Sequence, residues 1–243
     1  ASVGAGLGLD RPLACVSGRD QEEGGRRNLY GEFMIKQQCE EAWIERQNLL
    51  WNMLGSFVYA AASMVLSFLV MRIAGAQASG IFAVGFSTVG QQMFTVAYFG
   101  LRPFQITDAG SKRGGYSFGE YLIHRKQTVA LASVLAAGFS WWMFFSGRYV
   151  LDKALAVLWL VLYKIFDGYA DVYESEFQRQ GRLYLTGKAN TFKTLWSVAV
   201  FLAVLAVGRN LLSACIAAAA AQMMGFVVFD VWVIRGLKHV DWS

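Results

Sequence analysis

The sequence predicts an all-α polytopic membrane protein, a bundle of six transmembrane helices. Three observations predict it. Of 243 residues, 56% are hydrophobic and only 16% are charged, whereas soluble domains carry roughly 25% charge. Six apolar segments are each long enough for a hydrocarbon core, which takes roughly 17–25 helical residues. Lysine and arginine fall unevenly on the connections between those segments.

Residues 1–33, "ASVGAGLGLDRPLACVSGRDQEEGGRRNLYGEF", are rich in Gly and Arg and have no periodicity. Their apolar start has no positive region ahead of it, so they do not read as a signal peptide. A disordered or non-native leader is expected here, with Met34 as the native start. Residues 34–48 include "EEAWIERQ" (Glu40 to Gln47), an amphipathic stretch with two open readings. It lies on the cytoplasmic face of the membrane, or it extends the first span as plain helix. The six spans are expected at about Leu49–Ile73, Ser79–Leu101, Thr128–Ser146, Val150–Tyr173, Thr191–Val207 and Leu211–Ile234. They make one lobe, 49–238, with a tail at 239–243. The apolar part of the fifth span is short, so its helix is expected to begin earlier, near Tyr184. Small residues in "AGAQASG", "AVGFSTVG" and "SACIAAAAAQMMG" suit close helix packing.

Charge sets the orientation. With the N-terminus inside, the inner segments hold Lys36, Arg46, Arg102, Lys112, Arg113, Arg125, Lys126, Arg179, Arg182, Lys188, Lys193, Arg235 and Lys238. The outer segments hold only Arg72, Arg148, Lys153 and Arg209. Basic residues gather in cytoplasmic loops, so both termini are expected inside. Trp51, Tyr98, Trp141, Trp142, Tyr149, Tyr173 and Trp232 fall near segment ends, as interfacial belts require. The net charge of +5 does not argue for nucleic acid, because the basic residues separate apolar runs and form no patch. Cys15, Cys39 and Cys215 show neither disulfide nor metal spacing, and no cofactor is expected. His124 reads as a loop residue and His239 as a tail residue, both solvated. With no phosphate-cradling glycine loop, zinc spacing or nucleophile–histidine pairing, an enzyme is not expected.

The exception to the apolar pattern is "LYKIFDGYADVYE", Leu162 to Glu174. Lys164, Asp167, Asp171 and Glu174 are spaced by three, four and three, which puts them on one helical stripe. An ionised group in hydrocarbon costs on the order of 3 kcal/mol or more, so the stripe must face the bundle, water or the interface. Two readings are open. Lys164 pairs with Asp167 or Asp171, with Glu174 solvated, or the stripe walls a transport pathway. Asn52, Gln91, Gln92, Gln222 and Asp230 are weaker candidates for the same cavity, each of them also readable as a packing or interfacial residue. The connections "YFGLRPFQITD", "YSFGEYLIHRKQT" and "EFQRQGRLYLTGKANTFK" interleave basic and aromatic residues. They suit anionic lipid headgroups or a phosphorylated lipid substrate, and topology alone also accounts for them.

A first span opening on "NLLWNMLGS", followed by "GIFAVGFSTVGQQMFTVAYFGLRPFQITD", "YSFGEYLIHRKQT" and "KIFDGYADVYESEFQRQGRLYLTGK", resembles the polysaccharide flippase family. These are the bacterial O-antigen and capsule repeat-unit transporters, within the superfamily that includes the multidrug and toxic compound extrusion transporters. The resemblance runs from roughly Asn48 to Lys238, and "FGLRPFQITD", "YSFGEY" and "FQRQGRL" are its most specific pieces. It implies one lobe of a two-lobe transporter that opens alternately to each side of the bacterial cytoplasmic membrane. The implied cargo is an undecaprenyl-pyrophosphate-linked oligosaccharide, with membrane lipids and polymerase or glycosyltransferase partners alongside. Such transporters have about twelve spans, so the expectation is either a truncated record or a half-size protein whose copies pair. For an anionic cargo the expected contacts are Arg102 and Arg125 at the cytoplasmic mouth and Lys164 inside. Asp167 or Asp171 is expected to carry a coupling proton or sodium ion, or to hold Lys164 charged. A drug or cation exporter of the same superfamily and a non-transporting membrane scaffold are the rival expectations.

Overall fold

A computed structural model describes residues 28–108, 114–237, 240 and 242. The expectations for 1–27, 109–113, 238, 239, 241 and 243, Cys15, Lys112, Arg113 and His239 among them, lie outside the described residues. The structure is helical throughout, with no strand among the described residues. Its elements are α1 (Asn28–Phe82), a π-helical turn (Ala83–Val89), α2 (Gly90–Tyr98), α3 (Leu101–Thr107), α4 (Phe118–Phe145), α5 (Leu151–Arg179), α6 (Leu183–Gly208), α7 (Leu211–Phe226), a second π-helical turn (Val227–Val231) and α8 (Trp232–Arg235).

Helix α1 bends at Gly75, whose φ of 89° and ψ of 172° belong to a region essentially restricted to glycine. A straight helix would hold Leu66 and Phe82 about 24 Å apart. Instead they line one small apolar void together, so the chain doubles back at this residue. Residues 34–48 are a continuation of α1, which favours the helical-extension reading of that stretch. At the other end of the arm, Phe99 and Gly100 take left-handed conformations, and α3 leaves as a separate short helix.

Among the described residues, four stretches are long and apolar enough to cross a membrane: Lys36–Thr107, Phe118–Phe145, Leu183–Gly208 and Leu211–Arg235. This is fewer than the six expected segments. The first stretch runs through the Gly75 bend, and its 72 residues far exceed one bilayer. Helix α5 is not among the four, because Lys164, Asp167 and Asp171 interrupt its apolar run. Other boundaries moved too. Helix α4 begins at Phe118, held by a capping box in which Ser117 Oγ accepts from the Glu120 amide and Glu120 Oε2 accepts from the Ser117 amide. His124, Arg125 and Lys126 are therefore helical residues and not loop residues. Helix α6 begins at Leu183, near the expected Tyr184.

Helix α5 is the axis of the bundle. It packs against α4, α2, α3 and α7, while α1 lies along α6 and α6 along α7. Three apolar clusters fix this arrangement. Leu66, Val70, Phe82, Phe86, Leu160, Phe201 and Leu205 join α1, α5 and α6, with Cys215 of α7 buried among them. Ala97, Ala132, Ala136, Val157, Val161 and Ile165 join α2, α4 and α5. Phe118, Tyr173, Phe177, Phe226 and Ile234 close the opposite end. Glycine permits the tightest crossing, because a Cβ on Gly187 of α6 would collide with the Trp51 carbonyl of α1.

Candidate functional site: a charged cavity beside the central helix

Because α5 is surrounded, its ionic stripe faces the neighbouring helices and a cavity between them. Lys164, Asp171 and Glu174 are each about 95% buried or more. Their partners come from four other elements. Arg102, on α3, donates from Nη1 to Asp171 Oδ1 at 2.7 Å and from Nη2 to Gln178 Oε1 at 2.9 Å. Gln178 continues the α5 stripe one turn beyond Glu174. Arg125, on α4 and fully buried, donates to Asp171 Oδ2 at 2.7 Å. Its other terminal nitrogen donates to the Ala97 and Tyr98 carbonyls at 2.9 and 2.7 Å, which leaves the α2 C-terminus satisfied. Lys193, on α6, lies between Glu174 Oε1 at 2.9 Å and Asp230 Oδ2 at 2.8 Å. Asn190 Nδ2 donates to the second Glu174 oxygen at 3.2 Å.

Each of these ions gains at least one charge-assisted partner, the condition under which buried charge is tolerated. Three cations face three carboxylates in this cluster, so it is neutral overall. The expected Lys164–Asp167 and Lys164–Asp171 pairs do not form: neither carboxylate lies within 4 Å of Lys164. Lys164 instead donates to the Tyr59 hydroxyl, with its ammonium 4.0 Å from the Phe86 ring centroid. Asp167 accepts from Gln222 Nε2 at 3.3 Å. Glu174 is buried and bonded, not solvated.

Beside the stripe lies a cavity of about 390 Å³ between the first arm of α1, α2, α5 and α6. Asn52, Gln91, Arg102, Asp167 and Asp171, all singled out from the sequence, line it. Arg125 and Lys164 do not. Arg125 stands behind Asp171, tied to backbone carbonyls, and the Lys164 side chain is enclosed by Tyr59, Phe86 and Gly90. Gln222 and Asp230 hold the carboxylate and the lysine from behind.

In the sequence Lys193 counts only as an inner basic residue that sets topology, and its place in this cluster is not anticipated. Nor are Asn190, Thr194, Ser56 and Tyr59 anticipated as cavity residues. The signal was present. Thr186, Asn190, Lys193 and Ser197 are spaced by four, three and four, as are Asn52, Ser56, Tyr59 and Ser63. Each set is a polar stripe on an otherwise apolar helix. Comparison with family models, with curated proteins and with solved structures finds no match to this chain.

Proposed function

We propose that the chain is one lobe of a flippase that moves an undecaprenyl-pyrophosphate-linked oligosaccharide across the bacterial cytoplasmic membrane by alternating access. The observation that carries this reading is a polar, ion-lined cavity sunk among helices apolar enough to cross a bilayer. Ionisable groups at such depth mark substrate and ion pathways. In this reading there are six crossings. The chain enters along α1, turns at Gly75, returns through α2, and crosses four more times in α4, α5, α6 and α7 to α8. Helix α5 crosses in spite of its charge because that charge faces the neighbouring helices and the cavity. Both ends then lie on the cytoplasmic side, in line with the basic connections. The cavity is open on the side bearing Asn52, Ser56 and Gln91, so a second lobe, from further polypeptide or a second copy, completes the wall. Polymerase and glycosyltransferase partners would supply and consume the glycan.

Asp167 lines the cavity without a cation in contact, and this favours a second reading as a cation exporter of the same superfamily. One experiment separates the two. Asp167→Asn and Lys164→Ala are introduced into the whole gene, and membrane protein level, surface polysaccharide and dye export are measured. The flippase reading expects normal protein level and at least a severalfold loss of surface polysaccharide in both variants. Intact polysaccharide together with lost dye export would replace it with the exporter reading.

A further inference from the structure

We infer that this cavity binds the uncharged sugar portion of the cargo and leaves the diphosphate to other surfaces. The inference rests on the flippase reading and turns on which polar groups remain available. A diphosphate in a low-dielectric site needs uncommitted cationic donors. Arg102 and Arg125 share Asp171, and Lys193 is held by Glu174 and Asp230. Lys164 is buried against Tyr59 and Phe86 and lies outside the cavity lining. An entering anion would also meet the carboxylates of Asp167, Asp171 and Glu174.

The lining groups with no side-chain hydrogen-bond partner are neutral: Asn52, Ser56 and Gln91, all exposed, together with the hydroxyls of Tyr98 and Thr194. Each both donates and accepts, as sugar hydroxyls require. Asp167 adds an acceptor that hydroxyls can satisfy and a phosphate cannot. Phe94 and Tyr98, stacked at 5.9 Å between ring centroids with planes 20° apart, add aromatic surface to the lining, to which the C–H face of a pyranose can pack. The volume of about 390 Å³ lies inside the usual small-ligand range of roughly 300–1,000 Å³.

The test uses the full chain in lipid nanodiscs and three probes: dodecyl maltoside below its micellar concentration, farnesyl diphosphate and free maltose. Affinities are measured for the native chain, Asn52→Ala and Gln91→Ala, two exposed positions whose side chains make no hydrogen bond or ion pair within the chain. The native chain is expected to bind the maltoside at least tenfold more tightly than the diphosphate. Each variant is expected to weaken maltoside binding by about tenfold, the worth of one well-placed hydrogen bond, and to leave farnesyl diphosphate unchanged. Equal or tighter binding of the diphosphate overturns the inference, and so does unchanged maltoside binding in both variants. Free maltose binding as well as the maltoside keeps the sugar site but counts against a lipid-linked cargo, and hence against the flippase reading. Surface polysaccharide lost in Asp167→Asn while maltoside affinity ignores Asn52 and Gln91 does the reverse.

Discussion

Asp171 holds two arginines from two different helices, and the energetics of the site concentrate there. Its oxygens are divided between Arg102 and Arg125, each at 2.7 Å. Breaking a buried pair by removing one partner costs about 3–5 kcal/mol, because the other charge stays behind uncompensated. Arg125 is fully buried, so Asp171→Ala falls in that class. Removing Arg102 leaves Asp171 still paired with Arg125 at 2.7 Å, so no buried charge is left wholly uncompensated. Asp171→Ala is therefore expected to destabilise the folded chain by about 3–5 kcal/mol, and Arg102→Ala by less. Denaturation midpoints of the two variants in one detergent check the order. Equal midpoints would mean that Arg125 is satisfied by the Ala97 and Tyr98 carbonyls alone. The Asp171 stripe was legible in the sequence from spacing, but its partners were not. Arg102 and Arg125 stood in segments read as loops, where topology accounts for basic residues without any partner.

At the scale of elements, the sequence was most informative about helix interiors and least about ends. The stretch "YSFGEYLIHRKQT" read as connection because its charges dominate it, yet Ser117 and Glu120 cap a helix from Phe118 onward. The start of α6 at Leu183 agrees with the expectation near Tyr184, yet Lys193 within that helix reads from sequence only as a topology charge. The Gly75 turn was legible as the short gap between the first two expected segments, Leu49–Ile73 and Ser79–Leu101, although its geometry was not. Gly75 has open space around it, so a methyl group there meets no neighbour. Any penalty for Gly75→Ala thus comes from the backbone alone, at a φ and ψ that an L side chain resists by roughly 1–3 kcal/mol. The thermal midpoint of Gly75→Ala in detergent is expected to fall, whereas Gly138→Ala, in the middle of α4 with equally open surroundings and no positive φ, is expected to hold or rise. A Gly75→Ala chain as stable as the native one would mean that the bend relocates to a neighbouring residue.

For the whole molecule, the question is which surfaces meet lipid and which meet water. Helix α1 shows both along one length. Met53, Phe57, Met64 and Phe68, spaced by four, seven and four, form an exposed apolar stripe. Asn52, Ser56 and Tyr59 form a polar stripe about a quarter-turn or more around the axis, and it lines the cavity. In a bilayer the first stripe lies against acyl chains and the second stays hydrated, because unpaired amides are costly in hydrocarbon. Thiol chemistry distinguishes them, since only the hydrated thiolate reacts readily and an apolar setting keeps a thiol protonated. Cys15, Cys39 and Cys215 are first replaced, and single cysteines are then placed at 52, 91, 57 and 68 of the full chain in native membranes. A charged, water-soluble methanethiosulfonate is expected to label Asn52→Cys and Gln91→Cys at least tenfold faster than Phe57→Cys and Phe68→Cys, even though Phe57 and Phe68 are 71% and 61% exposed on the bare protein. Equal labelling at all four positions would mean that water covers the apolar stripe as well, and a bilayer would no longer account for the outward phenylalanines.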